Sequence, residues 1–326
     1  MNRRAFFQRT TAAAAGLLSG VGTAQPQGRS RVVLLFHKDA TSDDAQSRAS
    51  AITRLVHGAV QRALGAPHPQ AAWQRLVRPR ERVGIKLNCL APELSPHPDL
   101  VAAIIQGVQS AGVPPERIVV FDKEDRDLEA AGYEIVGEGP RARCYGTVGG
   151  DSSPGYEERF TTLKGTTVRL SKILTRQCSA LINVPVVKDH EFAGVTVGLK
   201  NHFGCIHNPE DFHVQRCDPA AADVNTAPDI LTKQRLVIAD ATRVLFDGGP
   251  SFKSDAVWEY NGVFCSTDPV ALDAEAAAVI SLMREQMELP TLEEAGRPPS
   301  HLATAARYGL GVADLNRIDL IEHDLA

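Results

Sequence analysis

Leu181-Ile-Asn-Val-Pro-Val-Val-Lys188-Asp-His190 is an apolar, β-branched run that ends in a cation, an acid and an imidazole. Its length and composition predict a buried strand. Pro185 cannot donate to a ladder, so the strand needs an edge position, a bulge or an early end there. Side chains alternate along a strand, which puts Lys188 and His190 on one face. The chain then continues through Gly198-Leu-Lys200-Asn201-His-Phe-Gly204-Cys205-Ile-His207 to His213 and Cys217. No other part of the sequence carries reactive side chains at this density.

Working outward, residues 31–36, 82–88 and 117–122 before this run, and 235–240, 262–265 and 318–321 after it, repeat the pattern of short apolar strands. Helical periodicity fills the intervals. Ser42 or Asp43 opens a helix to about Leu64, with Ala51, Ile52, Leu55, Val56 and Val60 on one stripe. Further helices are expected from Pro98 to Gly112, at 126–131, through Val195, Gly198 and Leu199, from Asp268-Pro269 through Met283, and at 302–308. Strand–helix alternation predicts an α/β fold with a mainly parallel sheet and helices on both faces. Residues 134–175 are rich in Gly and Pro and predict a loop or β-rich insertion, with a strand at 166–170. Residues 25–326 are expected to form a single domain.

Residues 1–24 stand apart. Asn2-Arg3-Arg4-Ala5-Phe6-Phe7, an Ala-rich stretch and Gly22-Thr23-Ala24 read as a twin-arginine signal peptide with a small-residue cleavage site. The export machinery is then a partner and the location is the periplasm or beyond. The apolar stretch is too short for a stable membrane span, and none is expected after signal removal. The formal net charge of −4 argues against nucleic acid, which calls for a basic patch. An exported chain with six cysteines can form disulfides, but no Cys-x-x-Cys pair occurs and an iron–sulfur motif is absent.

Several strands end in polar residues: Lys86-Leu-Asn88, Asp122, Lys188-Asp-His190 and Asp240. In an open parallel sheet the ligand crevice lies outside the carboxyl ends of the strands, so these ends are expected on one rim. Lys86, Lys188 and Lys200 need anionic company there, because an unpaired charge in a low-dielectric crevice costs several kcal/mol. Asp122, Asp189, Asp240 or a bound carboxylate or phosphate could supply it. Asp122 and Asp240 suit a structural ion-pair network or strand-end capping equally well. His190 is the candidate proton-transfer group, since an imidazole titrates near neutral pH. Asn88 and Asn201 would orient a ligand, with Asp122 and Asp240 beside it. His213 and Cys217 could hold zinc or iron, although the spacing matches no standard finger. A Cys205–Cys217 disulfide and an incidental surface loop are the alternatives. Gly248-Gly249-Pro250 reads as a turn or an anion nest, Asp268 as a helix cap, and Asp273 as a residue able to face the rim. No nucleophile elbow, Walker loop or dinucleotide fingerprint is present.

In order, Val-Gly-Ile-Lys86-Leu-Asn88, Ile-Asn183-Val-Pro-Val-Val-Lys188-Asp-His190, Gly-Leu-Lys200-Asn201-His-Phe-Gly204, Ile-Ala-Asp240 with Gly248-Gly249-Pro250, and Asp268-Pro-Val-Ala-Leu-Asp273 resemble the domain-of-unknown-function family 362. The resemblance covers nearly all of the chain after the signal, and is to the twin-arginine-exported branch. Many relatives carry an added ferredoxin-like module, which this sequence lacks, so iron–sulfur chemistry does not carry over. The segment from His213 to Cys217 also resembles that branch's pattern. The resemblance implies a shared site and names no reaction. Together these readings predict an exported enzyme acting on a small anionic molecule. A non-catalytic periplasmic protein that binds an anion or a metal is the alternative, and a protein–protein module is a third.

Overall fold

The structure, a computed structural model, describes residues 28–325. The signal-peptide reading lies outside the described residues. The first strand is β1 (Ser30–Phe36). Next come α1 (Ala45–Ala63), capped by Asp44, whose Oδ2 accepts the Ser47 N–H at 2.8 Å, and α2 (Pro69–Leu76). Two βα units follow, β2 (Val83–Lys86) with α3 (Pro98–Ser110) and β3 (Ile118–Phe121) with α4 (Asp125–Ala130), and then the two-residue β4 (Arg143–Cys144). The expected insertion contains the hairpin β5 (Thr161–Leu163) and β6 (Thr166–Val168).

The run that opened the sequence analysis folds as two strands, β7 (Ala180–Asn183) and β8 (Val186–His190). Pro185 is the reason. It lacks an N–H, so the ladder between β7 and β2 ends with Val184 N–H donating to the Lys86 carbonyl at 2.7 Å. Beyond it, β8 leaves β2 and pairs with β9 (Gly194–Thr196) and β10 (Gln234–Leu245). Val195, expected in a helix, therefore lies in a strand. The helix starts three residues later as the single turn α5 (Gly198–Asn201). Short helices α6 (Ala220–Val224) and α7 (Pro228–Lys233) lead into β10. The chain closes with β11 (Val257–Ser266), α8 (Pro269–Gln286), α9 (Ser300–Arg307) and β12 (Ile318–Asp324). Asp268 caps α8 as expected, its Oδ1 accepting the Ala271 N–H at 2.9 Å.

The main path of the sheet runs β12-β1-β11-β10-β7-β2-β3-β4. Along it only β11 runs against its neighbours, so the sheet is mostly parallel. After β2 the chain moves outward to β3 and β4; after β7 it moves the other way, to β10 and β11. The order reverses between β2 and β7, and that is where an α/β sheet opens a crevice at its strand ends.

Helices cover both faces. On one, Ile52, Leu55 and Val56 of α1, Trp73 of α2 and Leu100 and Ile104 of α3 cluster with Val33, Leu35, Ile85, Val120 and Ile182. On the other, Val270, Leu272 and Ile280 of α8 and Leu302 of α9 cluster with Val32, Leu34, Val237 and Phe264. The β5–β6 hairpin and the segment after α5 build a third cluster over Phe121 and Leu181. No helix among the described residues is long and apolar enough to cross a membrane.

Candidate functional site

Where β2 and β8 part, a cavity of about 280 Å³ opens, lined by Lys86, Asn88, Asp122, Lys188, His190, Thr196, Lys200, Asn201, Gly204, His213 and Pro250, among others. The rim that was expected from the strand ends therefore exists, and it gathers all three lysines, both asparagines, Asp122 and two of the histidines.

The three lysines differ in their company. Lys86 is neutralised: its Nζ donates to Asp122 Oδ1 at 2.6 Å, to the Leu87 carbonyl at 2.5 Å and to Asn201 Oδ1 at 3.2 Å. The other Asp122 oxygen accepts the Cys89 N–H at 2.6 Å, so this pair also fixes the loop after β2. Gly204 is needed beside it, because a Cβ there would meet the Lys86 ammonium and the Asp122 carboxylate. Lys188 is fully buried and donates to Asn88 Oδ1 at 3.0 Å. Lys200, 8% exposed, lies 3.3 Å from His213 Nε2 and over the Phe203 ring at 4.9 Å. Among the described residues, no carboxylate pairs with Lys188 or Lys200. The charges at the mouth pair with each other: Lys123 with Glu210 at 3.6 Å, and Arg126 with Glu124 at 2.7 Å. Two buried cations without a paired carboxylate remain.

The protonation states follow from this arrangement. Burial, and then the neighbouring Lys200, lowers Lys188 from 10.5 to about 8. Burial also lowers Lys200. His190 is pushed down to about 2, first by burial and then by Lys200, so its ring is neutral at any ordinary pH. Its Nδ1 accepts the N–H groups of Phe192 (3.1 Å) and Ala193 (3.3 Å), which leaves the proton on Nε2. The expected proton-transfer group is thus held as a neutral N–H donor. His213 stacks against Phe192 and lies 5.3 Å from the His190 ring, centroid to centroid.

Asn201 also differs from expectation. Its Oδ1 accepts from Lys86 and from Asn88 Nδ2 (3.3 Å), and its Nδ2 donates to Asn183 Oδ1 (2.7 Å) and to the Lys86 carbonyl (3.3 Å). Every hydrogen-bonding position of the amide is used within the protein. Asn201 therefore clamps α5 onto β2 and β7, and Asn88 keeps the freer amide. Asp273, pushed up to about 7 by burial, accepts the Gly198 and Leu199 N–H groups at 2.7 and 2.8 Å and so sets the start of α5 rather than facing the cavity.

Asp189 and Asp240 lie apart from the lysines. The alternation along β8 turns Asp189 the other way, into a pair with Arg297 and a hydrogen bond from Gly249 N–H at 3.0 Å. Gly249 tolerates no side chain, because a Cβ would overlap the Asp189 carbonyl. The Gly248-Gly249-Pro250 turn thus serves Asp189, and Pro250 forms part of the cavity wall. Asp240 does not line the cavity: it accepts the His97 N–H at 2.8 Å and the Thr242 N–H and hydroxyl at 2.8 and 2.7 Å. It is a loop cap, one of the two roles its strand-end position allowed.

Cys217 is fully buried in the apolar cluster with Phe203, Cys205 and Ile206, and burial raises its thiol. His213 Nε2 is occupied by Lys200. No group of three or more His, Cys, Asp or Glu among the described residues is placed to hold a metal. All six cysteines are unpaired and buried, so the Cys205–Cys217 disulfide does not form. The sequence reading missed Thr196. It faces Lys188 directly across the β8–β9 ladder, and its buried hydroxyl has no partner. A lone Thr in an apolar run gives no signal until the register is known.

No curated protein matches the chain. A family model matches residues 83–278, from the start of β2 into α8. That span takes in every cavity residue described above. The chain belongs to the family described as domain of unknown function (DUF362).

Proposed function

We propose that the chain is an exported enzyme acting on a small organic anion, which binds in the cavity between β2 and β8. One observation carries this reading: Lys188 and Lys200 are buried at the cavity without a carboxylate partner. Each such charge costs several kcal/mol, and a bound anion would supply the missing counter-charge. The unpartnered Thr196 hydroxyl and the neutral His190 add two donors for its oxygens. The size of the cavity suits a metabolite of a few heavy atoms. Lys86 and Asp122 form the fixed wall, and Asn88 holds Lys188 in position. The twin arginines Arg3 and Arg4 and the uncharged stretch after them support export.

A metal at His213 and Cys217 is not part of this proposal. The thiol is enclosed by apolar side chains, and an ammonium already sits on the imidazole nitrogen. The alternative of a non-catalytic periplasmic anion-binding protein draws support from His190, whose lone pair is taken up by two backbone N–H groups.

Thermal unfolding in the presence of phosphate, acetate, oxalate and glyoxylate tests the reading, with chloride at equal ionic strength as control. At least one of these anions is expected to raise the melting temperature saturably, and Lys200→Met to remove the effect. If none acts beyond the chloride control, the cavity is not an anion site. If an anion binds but no transformation of any bound compound is found, the binding-protein alternative gains.

A further inference from the structure

We infer that Lys188 is an imine-forming amine, and that the ligand is a small aldehyde or ketone whose anionic group lies against Lys200. This rests on the anion-site reading and adds a second functional group to the ligand.

The three lysines are not equivalent as nucleophiles. Lys86 is engaged by the Asp122 carboxylate at 2.6 Å. Lys200 lies over the Phe203 ring, where the π face favours the charged form. Lys188 has only the more distant field of Asp122, whose carboxylate is bound to Lys86. Its hydrogen-bond partner is a neutral amide oxygen, and it shares the low-dielectric cavity with the Lys200 charge. Two cations in one such space repel, and the less supported one releases its proton, as in other amines activated beside a second cation. The lowering of Lys188 to about 8 agrees. At about pH 7 roughly one Lys188 in ten would be uncharged, about 300-fold more than for an ordinary lysine. The amine sits on a strand, and Thr196 Oγ1, lacking any partner, lies directly opposite.

The step balances without an oxidant or reductant. The neutral Nζ attacks the carbonyl carbon, and the C=O π pair moves to oxygen. One proton passes from nitrogen to that oxygen, giving a carbinolamine. Lys200 donates a second proton as the hydroxyl departs as water, while the nitrogen lone pair forms the C=N bond. The positive charge thus moves from Lys200 to the protonated imine, and the total charge of the cavity is unchanged. Thr196 is placed to hydrogen-bond the carbinolamine hydroxyl.

The test treats the purified full chain with glyoxylate and sodium cyanoborohydride at about neutral pH, then locates carboxymethyl-lysine by peptide mass spectrometry. Labelling of Lys188 at least about tenfold above that of the exposed Lys38 and Lys253, with protection by oxalate, is the expected result. Lys188→Arg should lose this label. The labelling of the unsubstituted protein decides the matter even if that variant does not fold. If oxalate stabilises the protein but Lys188 is labelled no faster than the surface lysines, the imine is overturned and the anion site stands. If oxalate has no effect and Lys188 is unlabelled, both readings fail.

Discussion

Replacing Lys188 by Met should make the protein more stable. The reasoning starts from the lowering of its ammonium from 10.5 to about 8 by burial and by Lys200. That difference corresponds to about 3 kcal/mol of penalty on the charged form in the folded state. Below about pH 8, folded and unfolded chains both hold the proton, and the penalty is fully present. Between about 8 and 10.5 the unfolded chain holds more protons than the folded one, so stability rises with pH. Above that range the penalty is gone. Met removes the charge and keeps most of the volume. It also leaves Asn88 Oδ1 without its donor, a loss of about 1 kcal/mol for a half-buried amide. The net expectation is a gain of about 2 kcal/mol at about pH 7. Urea unfolding of both proteins in chloride buffer, at about pH 7 and about pH 10, measures it. The advantage of Lys188→Met should disappear at the higher pH. A variant that is less stable at pH 7, or a difference that ignores pH, would refute the reasoning, because Lys188 would then have a counter-charge in the folded protein.

Asp122→Asn should act in the opposite direction. It leaves Lys86 as a third buried cation without a paired carboxylate, and denaturant unfolding should show a loss of about 3–5 kcal/mol. Gly249→Ala should cost more than about 3 kcal/mol on the same assay, because its Cβ has no space beside the Asp189 carbonyl. Affinity for a non-carbonyl anion such as oxalate, followed by calorimetry, should fall about tenfold from pH 7 to pH 9. Lys188 loses its proton over that range, and an affinity that does not fall would mean that the anion binds elsewhere. Asn201→Ala should weaken anion binding indirectly, by freeing α5 from β2, and the circular dichroism of the folded protein should not change.

Much of this site was legible in the sequence because strand ends carry their own geometry. Lys86 and Asn88, and likewise Lys188 and His190, were assignable to common faces by alternation alone, and all four line the cavity. The same alternation turns Asp189 away from the lysines and onto Arg297 and Gly249, although the sequence had offered it as their counter-charge. What the sequence could not supply was register and strand order. Thr196 became a site residue only through its pairing with Lys188, and Asp240 left the site only because its strand end faces His97. His190 shows a different limit. Its titration range was predicted from the free imidazole, but two backbone N–H groups and two nearby ammonium charges decide its state in the fold. Pro185 allowed an edge position, a bulge or an early end; that it ends the ladder and parts β8 from β2 needed the partners of both halves.

The three lysines also separate structural from functional charge. A buried ammonium that serves the fold should be matched, as Lys86 is by Asp122, because an unmatched one destabilises the chain with nothing gained. Lys188 and Lys200 are unmatched in a fold that has carboxylates close at hand: Asp122 serves Lys86 a few ångströms away, and Asp189 is the next residue in the strand. Asp189 is instead committed to Arg297 and Gly249, and Asp240 to a loop cap. Nearby negative charge is thus consistently committed elsewhere, and on the proposed reading the two cations at the switch point meet their counter-charge when an anion enters the cavity. On that reading, stability lost without the anion becomes affinity for it, which is why Lys188→Met and the anion titration must move in opposite directions if the site is what its charges indicate.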